Sequence, residues 1–125
     1  MSQLQARLRE DLGTALRARD RATAGVLRTA LAAIANAEAQ PVPVGTSPMS
    51  TSEGPIAGAA LGVGAAEVAR RELSEADVQA VVARERDERL ATAVELAAHG
   101  REAAAEQLRH EAALLGHYLD DAVQR

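Results

Sequence analysis

Three histidines, His99, His110 and His117, are the only imidazoles in the chain, and Glu106 stands four residues before His110. On a helix that spacing lines a carboxylate and two imidazoles along one side, donor types that bind zinc. The step from His110 to His117 spans about 10 Å of helix, however, whereas each imidazole must come within about 2 Å of a shared ion. Solvated or capping histidines fit the spacing better, and no metal is expected. The carboxylates of the C-terminal half alternate with arginines in stretches such as "ARERDER", the pattern of a salt-bridged, solvated face. General-acid work needs burial and a raised pKa, which this pattern does not provide.

"GVGAAE", Gly62–Glu67, supplies the first two glycines of a dinucleotide fingerprint but has Glu67 in place of the third. It follows no predicted strand, and no Gly-Lys-Ser/Thr accompanies it, so neither a Rossmann turn nor a P-loop is expected. The chain has no cysteine, which removes a disulfide framework, a thiolate zinc site and a cysteine nucleophile. No nucleophile, base and orienting group occur together, so no catalytic residues and no cofactor are assigned.

Arginine remains as the functional side chain. All fourteen basic residues are arginine, set against eighteen acids for a net charge of -4. The distribution is uneven. Residues 1–39 carry six arginines and four acids, whereas residues 73–125 carry six and eleven. Arg7, Arg9, Arg17, Arg19, Arg21 and Arg28 thus form a weakly basic N-terminal end that could meet phosphates. No aromatic residue in that region could stack a base.

These side chains must be positioned by helices. Thirty alanines and fourteen leucines dominate the apolar residues, Tyr118 is the only aromatic, and alanine and leucine are strong helix formers. Leu4, Leu8, Leu12 and Leu16, with Ala15 beside them, predict a first helix that Ser2 caps. Asp20 is the expected cap of a second helix, with Leu27, Leu31 and Ile34 as its stripe and Thr23, Ala30 and Ala37 at its flanks. Gly25 is read as a place of close backbone approach. The helix must stop before Pro41.

Residues 40–64 hold all four prolines and five of the nine glycines, and read as a flexible connection. Ile56, Leu61 and Val63 are expected to lie across the helices, and a short extra helix is expected from about Ala65 to Glu72. Ser74 and the acids after it start a long helix facing inward through Val78, Val81, Val82 and Leu96. Arg84–Glu88 and Glu85–Arg89 are its i,i+4 pairs. His99-Gly100 ends it with a glycine at the left-handed cap position. A last helix then presents Ala104, Leu108, Leu115 and Tyr118, flanked by Leu114 and Leu119. The expectation is a single all-α domain over residues 1–125, with four helices ending in a long αα-hairpin. No apolar run is long enough for a membrane helix and no signal-peptide core is present, so a cytoplasmic protein is expected.

Several segments, taken in order, resemble the GatB/YqeY family. "VLRTALAAIANAE" is similar to its second helix, with Val-Leu-Arg, an apolar stretch and Asn-x-Glu; "RRELSEADVQAVVARE" is similar to its Leu-Ser-acidic start of the third helix leading to Arg-Glu. Arg89 falls at a recurring basic position, and "HGREAAAEQLRHEAALLGHYL" resembles the Gly-Arg turn, Glu-rich fourth helix and closing Tyr-Leu. The resemblance runs from about residue 2 to 119, interrupted by the middle connection.

It implies an all-helical module related to the tail of the B subunit of glutamine-dependent aminoacyl-tRNA amidotransferases, a tail that contacts tRNA. It also implies the label of a carbon–nitrogen ligase with glutamine as amido-N-donor, although the chemistry of that enzyme lies outside its tail. Members continue past Tyr-Leu with proline and a second small helical domain, which this chain is expected to lack. The residues that the resemblance selects for binding are Arg28, Asn36, Glu38, Arg84, Glu85, Arg89 and Arg101. Two readings stay open: a non-catalytic accessory module for tRNA or an amidotransferase complex, and a structural module for a protein partner or self-association.

Overall fold

The computed structural model describes residues 2–40 and 72–124, and among these the fold is all-helical. The helices are α1 (Gln3–Arg17), α2 (Arg21–Ala39), α3 (Glu75–Ala98) and α4 (Glu102–Gln124). The chain divides into two compact units, one of Met1–Ile34 with Leu73–Arg125 and one of Ala35–Glu72. The middle connection, the expected helix before residue 73 and "GVGAAE" lie outside the described residues. No described helix is long and apolar enough to cross a membrane.

Local chemistry sets the helix limits. The Ser2 hydroxyl accepts the Gln5 N–H at 2.8 Å and starts α1. Asp20 starts α2, its carboxylate accepting the Thr23 N–H at 3.1 Å. Ser74 and Asp77 form a reciprocal capping box at α3, with bonds of 3.0 and 3.1 Å. Such caps stabilise a helix by about 1 kcal/mol, because they satisfy first-turn amides that have no partner within the helix.

Two short turns follow one hydrogen-bonding scheme. After α1, Arg19 N–H bonds to Leu16 O (3.1 Å) and Asp20 N–H to Ala15 O (2.9 Å). After α3, Gly100 N–H bonds to Ala97 O (3.0 Å) and Arg101 N–H to Leu96 O (2.8 Å). Both are Schellman motifs, which place one residue in the left-handed region. Gly100 takes that position at φ 79°, as expected, and Arg19 takes it at φ 60°. In each turn the residue that closes one helix also opens the next, since Asp20 O and Arg101 O accept the N–H groups of Ala24 and Ala105.

The core joins Leu4 and Leu8 of α1, Val26, Leu27, Ala30 and Ile34 of α2, Val78 and Val82 of α3, and Leu115, Tyr118 and Leu119 of α4. Several expected faces shift. Leu16 turns outward at 46 % exposure and Ala15 is buried in its place. A four-residue step overshoots the 3.6-residue turn by about 40°, so three such steps carry Leu16 some 120° from Leu4. On α4 Ala105 is buried and Ala104 exposed, and on α2 Val26 and Ala24 join the buried face. Gly25 is exposed, and a methyl group there would meet nothing within 4 Å, so it permits no close approach.

Polar contacts fix how α1 lies on the hairpin. Glu75, at the start of α3, accepts the Gln3 and Leu4 N–H groups of α1 at 2.9 and 3.3 Å, a carboxylate placed at a second helix's N-terminus. Arg7 pairs with Asp121 at 2.8 Å and lies 5.0 Å from the centre of the Tyr118 ring. The Tyr118 hydroxyl donates to Asp11 at 2.5 Å. Burial, then the Asp11 hydrogen bond and charge, push the Tyr118 phenol well above its ordinary pKa, with Arg7 opposing. Helix α1 therefore runs antiparallel to α4 and parallel to α3.

Candidate anion-binding site

Of the residues selected in the sequence that lie in the first unit, Arg28, Arg84, Glu85, Arg89 and Arg101, only the Glu85 and Arg89 side chains are in contact. Glu85 and Arg89 sit on the inner side of the α3–α4 hairpin. Arg89 donates to Glu85 Oε1 and Glu85 O from Nη1, and to Glu111 Oε1 from Nε, each at 3.1 Å. The Gln107 amide donates to the other Glu111 oxygen at 3.2 Å. The Arg89, Glu85 and Glu111 side chains are only 12, 16 and 23 % exposed, so this group braces two helices and offers little to a partner. The i,i+4 pairing of Glu85 with Arg89 forms as expected, whereas Arg84 is exposed and makes no ion pair with Glu88.

Arg101 is exposed in the α3–α4 turn, where its backbone closes one helix and opens another. Asn36 is exposed and Glu38 half-buried on the last turns of α2, in the second unit. The three histidines are exposed. The His99 ring bonds to Glu95 O at 2.8 Å as a C-terminal cap, and His110 lies 3.9 Å from Glu106. No group of three or more metal-ligating side chains occurs among the described residues.

Arg28 is different. It lines a cavity of about 490 Å³ at the α1–α2 turn together with Ala15, Leu16, Arg19, Asp20, Arg21 and Ala24. The Schellman turn puts Arg19 at its end, Arg21 begins α2, and Arg28 follows two helical turns later. Helical side chains lean toward the N-terminus, so Arg28 inclines toward the turn that holds the other two. Among the described residues none of the three guanidinium groups has an ion-pair or hydrogen-bond partner. Arg7, Arg86, Arg89 and Arg109 are paired with carboxylates, whereas the Arg9, Arg84 and Arg101 side chains are also without a partner among the described residues, so what sets Arg19, Arg21 and Arg28 apart is the shared pocket.

Asp20, the acid in the lining, is occupied with capping. Hydrogen bonding by Thr23, from its side chain first and its backbone N–H second, holds the Asp20 carboxyl below its ordinary pKa. Guanidinium forks beside a helix N-terminus suit an oxyanion, above all phosphate. The sequence shows these arginines only as a diffuse basic end. The turn sets all three on the lining of one pocket, and its left-handed residue is an arginine where glycine is usual.

Comparison with known proteins finds no match to this chain among family models, curated proteins or solved structures.

Proposed function

We propose that the chain is a non-catalytic helical module that binds RNA, with tRNA as the expected class, and acts as an accessory beside an amidotransferase. The GatB/YqeY resemblance supplies the tRNA and amidotransferase context. The observation that carries the reading is the cavity lined by Arg19, Arg21 and Arg28, cations without a partner among the described residues. Phosphate contacts give affinity without base specificity, as an accessory module requires. The net charge of -4 confines attraction to this local patch.

A filter-binding titration with tRNA tests the reading. Retention at low salt is expected, falling with log salt at a slope of about -2 to -3 if three phosphates are met. The triple variant Arg19→Gln, Arg21→Gln, Arg28→Gln should lose most of it. Retention no better than that of an acidic control protein, or unchanged in the variant, would sink the proposal.

A second reading, a structural module for a protein partner or a second copy, draws on Leu90 and Val94. They lie four residues apart on α3 and are both exposed. Light scattering over a concentration series tests self-association, with Leu90→Ser, Val94→Ser as the comparison. A monomer at every concentration would count against a second copy.

A further inference from the structure

We infer that the α1–α2 cavity takes a nucleotide that ends in a phosphate monoester. This deepens the RNA-binding reading and rests on it for the site, while naming the part of a strand that the site would hold. Charge is the first argument. Three guanidinium groups against the one Asp20 carboxylate leave the lining at a net +2. A terminal phosphate monoester carries about -1.5 to -2 near pH 7, its second pKa being about 6, so it balances the lining. A phosphodiester within a strand brings a single charge. The first turn of α2 adds partial positive charge on the same side.

Size and polarity fit a nucleotide as well. A volume of about 490 Å³ falls within the usual span of small-ligand sites, about 300–1,000 Å³. It suits one nucleotide rather than the groove of a duplex. The rest of the lining is apolar: Ala15, Leu16 and Ala24. Leu16, turned out of the core and 46 % exposed, offers a base a surface beside the arginines. Guanidinium planes also stack on aromatic rings, so the arginines can hold the base as well as the phosphate. The arrangement does for a base what an aromatic residue does elsewhere.

The ligand has two sources, a free nucleotide or the phosphorylated end of an RNA strand, and calorimetry separates them. The probes are adenosine 5′-monophosphate, adenosine, inorganic phosphate, the dinucleotide ApA, and a short single-stranded RNA with a 5′-phosphate or a 5′-hydroxyl. The monophosphate should bind about tenfold or more tightly than adenosine or ApA, the gain expected of one or two charge-assisted hydrogen bonds. Its affinity should fall as pH drops through about 6. Arg28→Gln should weaken it about tenfold, and Leu16→Ser should weaken the nucleotide while leaving inorganic phosphate unchanged. Both residues are exposed, so the fold tolerates these changes.

Equal binding of the monophosphate and ApA, or no effect of Leu16→Ser on the nucleotide, overturns the inference. If tRNA is retained on filters while the monophosphate and ApA bind alike, this inference falls and the RNA reading stands. If the monophosphate binds as described and neither tRNA nor the phosphorylated strand is held, the RNA reading falls and the site belongs to free nucleotides.

Discussion

Replacing Arg89 with alanine tests whether the hairpin arginine is a brace. The change removes three hydrogen bonds, two to the side chains of Glu85 and Glu111 and one to Glu85 O. It leaves two like-charged carboxylates together at 16 and 23 % exposure. Exposed ion pairs contribute about 0–1 kcal/mol, while breaking a buried pair costs about 3–5 kcal/mol. Arg89, at 12 % exposure, falls between these limits. A loss of about 2–3 kcal/mol is therefore expected. Urea unfolding followed by circular dichroism should show it as a midpoint lowered by roughly 1–2 M. Arg89→Lys should recover only part, because an ammonium cannot reproduce the fork that reaches both helices. A double-mutant cycle with Glu111→Gln should give a coupling of about 1 kcal/mol or more. A loss of about 0–1 kcal/mol, that of a solvated pair, would refute the bracing role.

Tyr118→Phe should destabilise by about 1–2 kcal/mol, measured by the same denaturation, through loss of the bond to Asp11. Because the folded phenol titrates above the unfolded value of about 10, the stability that Tyr118 contributes should be fully present below that pH and decline as pH rises beyond it. Spectrophotometric titration of the single tyrosine would show its delayed ionisation directly; ionisation at the ordinary value would contradict the buried contact. Arg19→Gly should raise stability by up to about 1 kcal/mol in thermal melts, since a left-handed non-glycine residue is strained by roughly 1–2 kcal/mol and glycine returns part of that as backbone entropy. Glu75→Ala should cost about 1 kcal/mol and speed hydrogen exchange at the Gln3 and Leu4 amides, which the carboxylate now holds.

What could be read from the sequence was local. Ser2, Asp20, Ser74 and Gly100 mark helix ends by chemistry that acts within three or four residues, and each does so in the structure. The four helices and the hairpin follow from those marks and from the spacing of leucine and valine. The faces were less legible in alanine-rich stretches, because Ala104 and Ala105 are alike and only packing decides which turns inward. Interhelical partners were not legible at all. Arg89 meets Glu111, Tyr118 meets Asp11 and Glu75 meets Gln3 across 22, 107 and 72 residues, and helix register sets these meetings. The candidate site suffered the same limit. Arg19 and Arg21 adjoin in the sequence as part of a diffuse basic end, and the geometry of one turn is what sets them in a pocket with Arg28.

That turn has a kinetic consequence. Asp20 closes α1 through its N–H and opens α2 through its carboxylate, so a shift at the end of the cavity breaks the caps of two helices at once. An anion bound there as proposed would find backbone already in place and have only arginine rotamers to settle, at about 0.5–1.5 kcal/mol for each immobilised side chain. Association should therefore proceed as one concentration-dependent phase, without a slower first-order step, and ionic strength should act mainly on the rate of encounter.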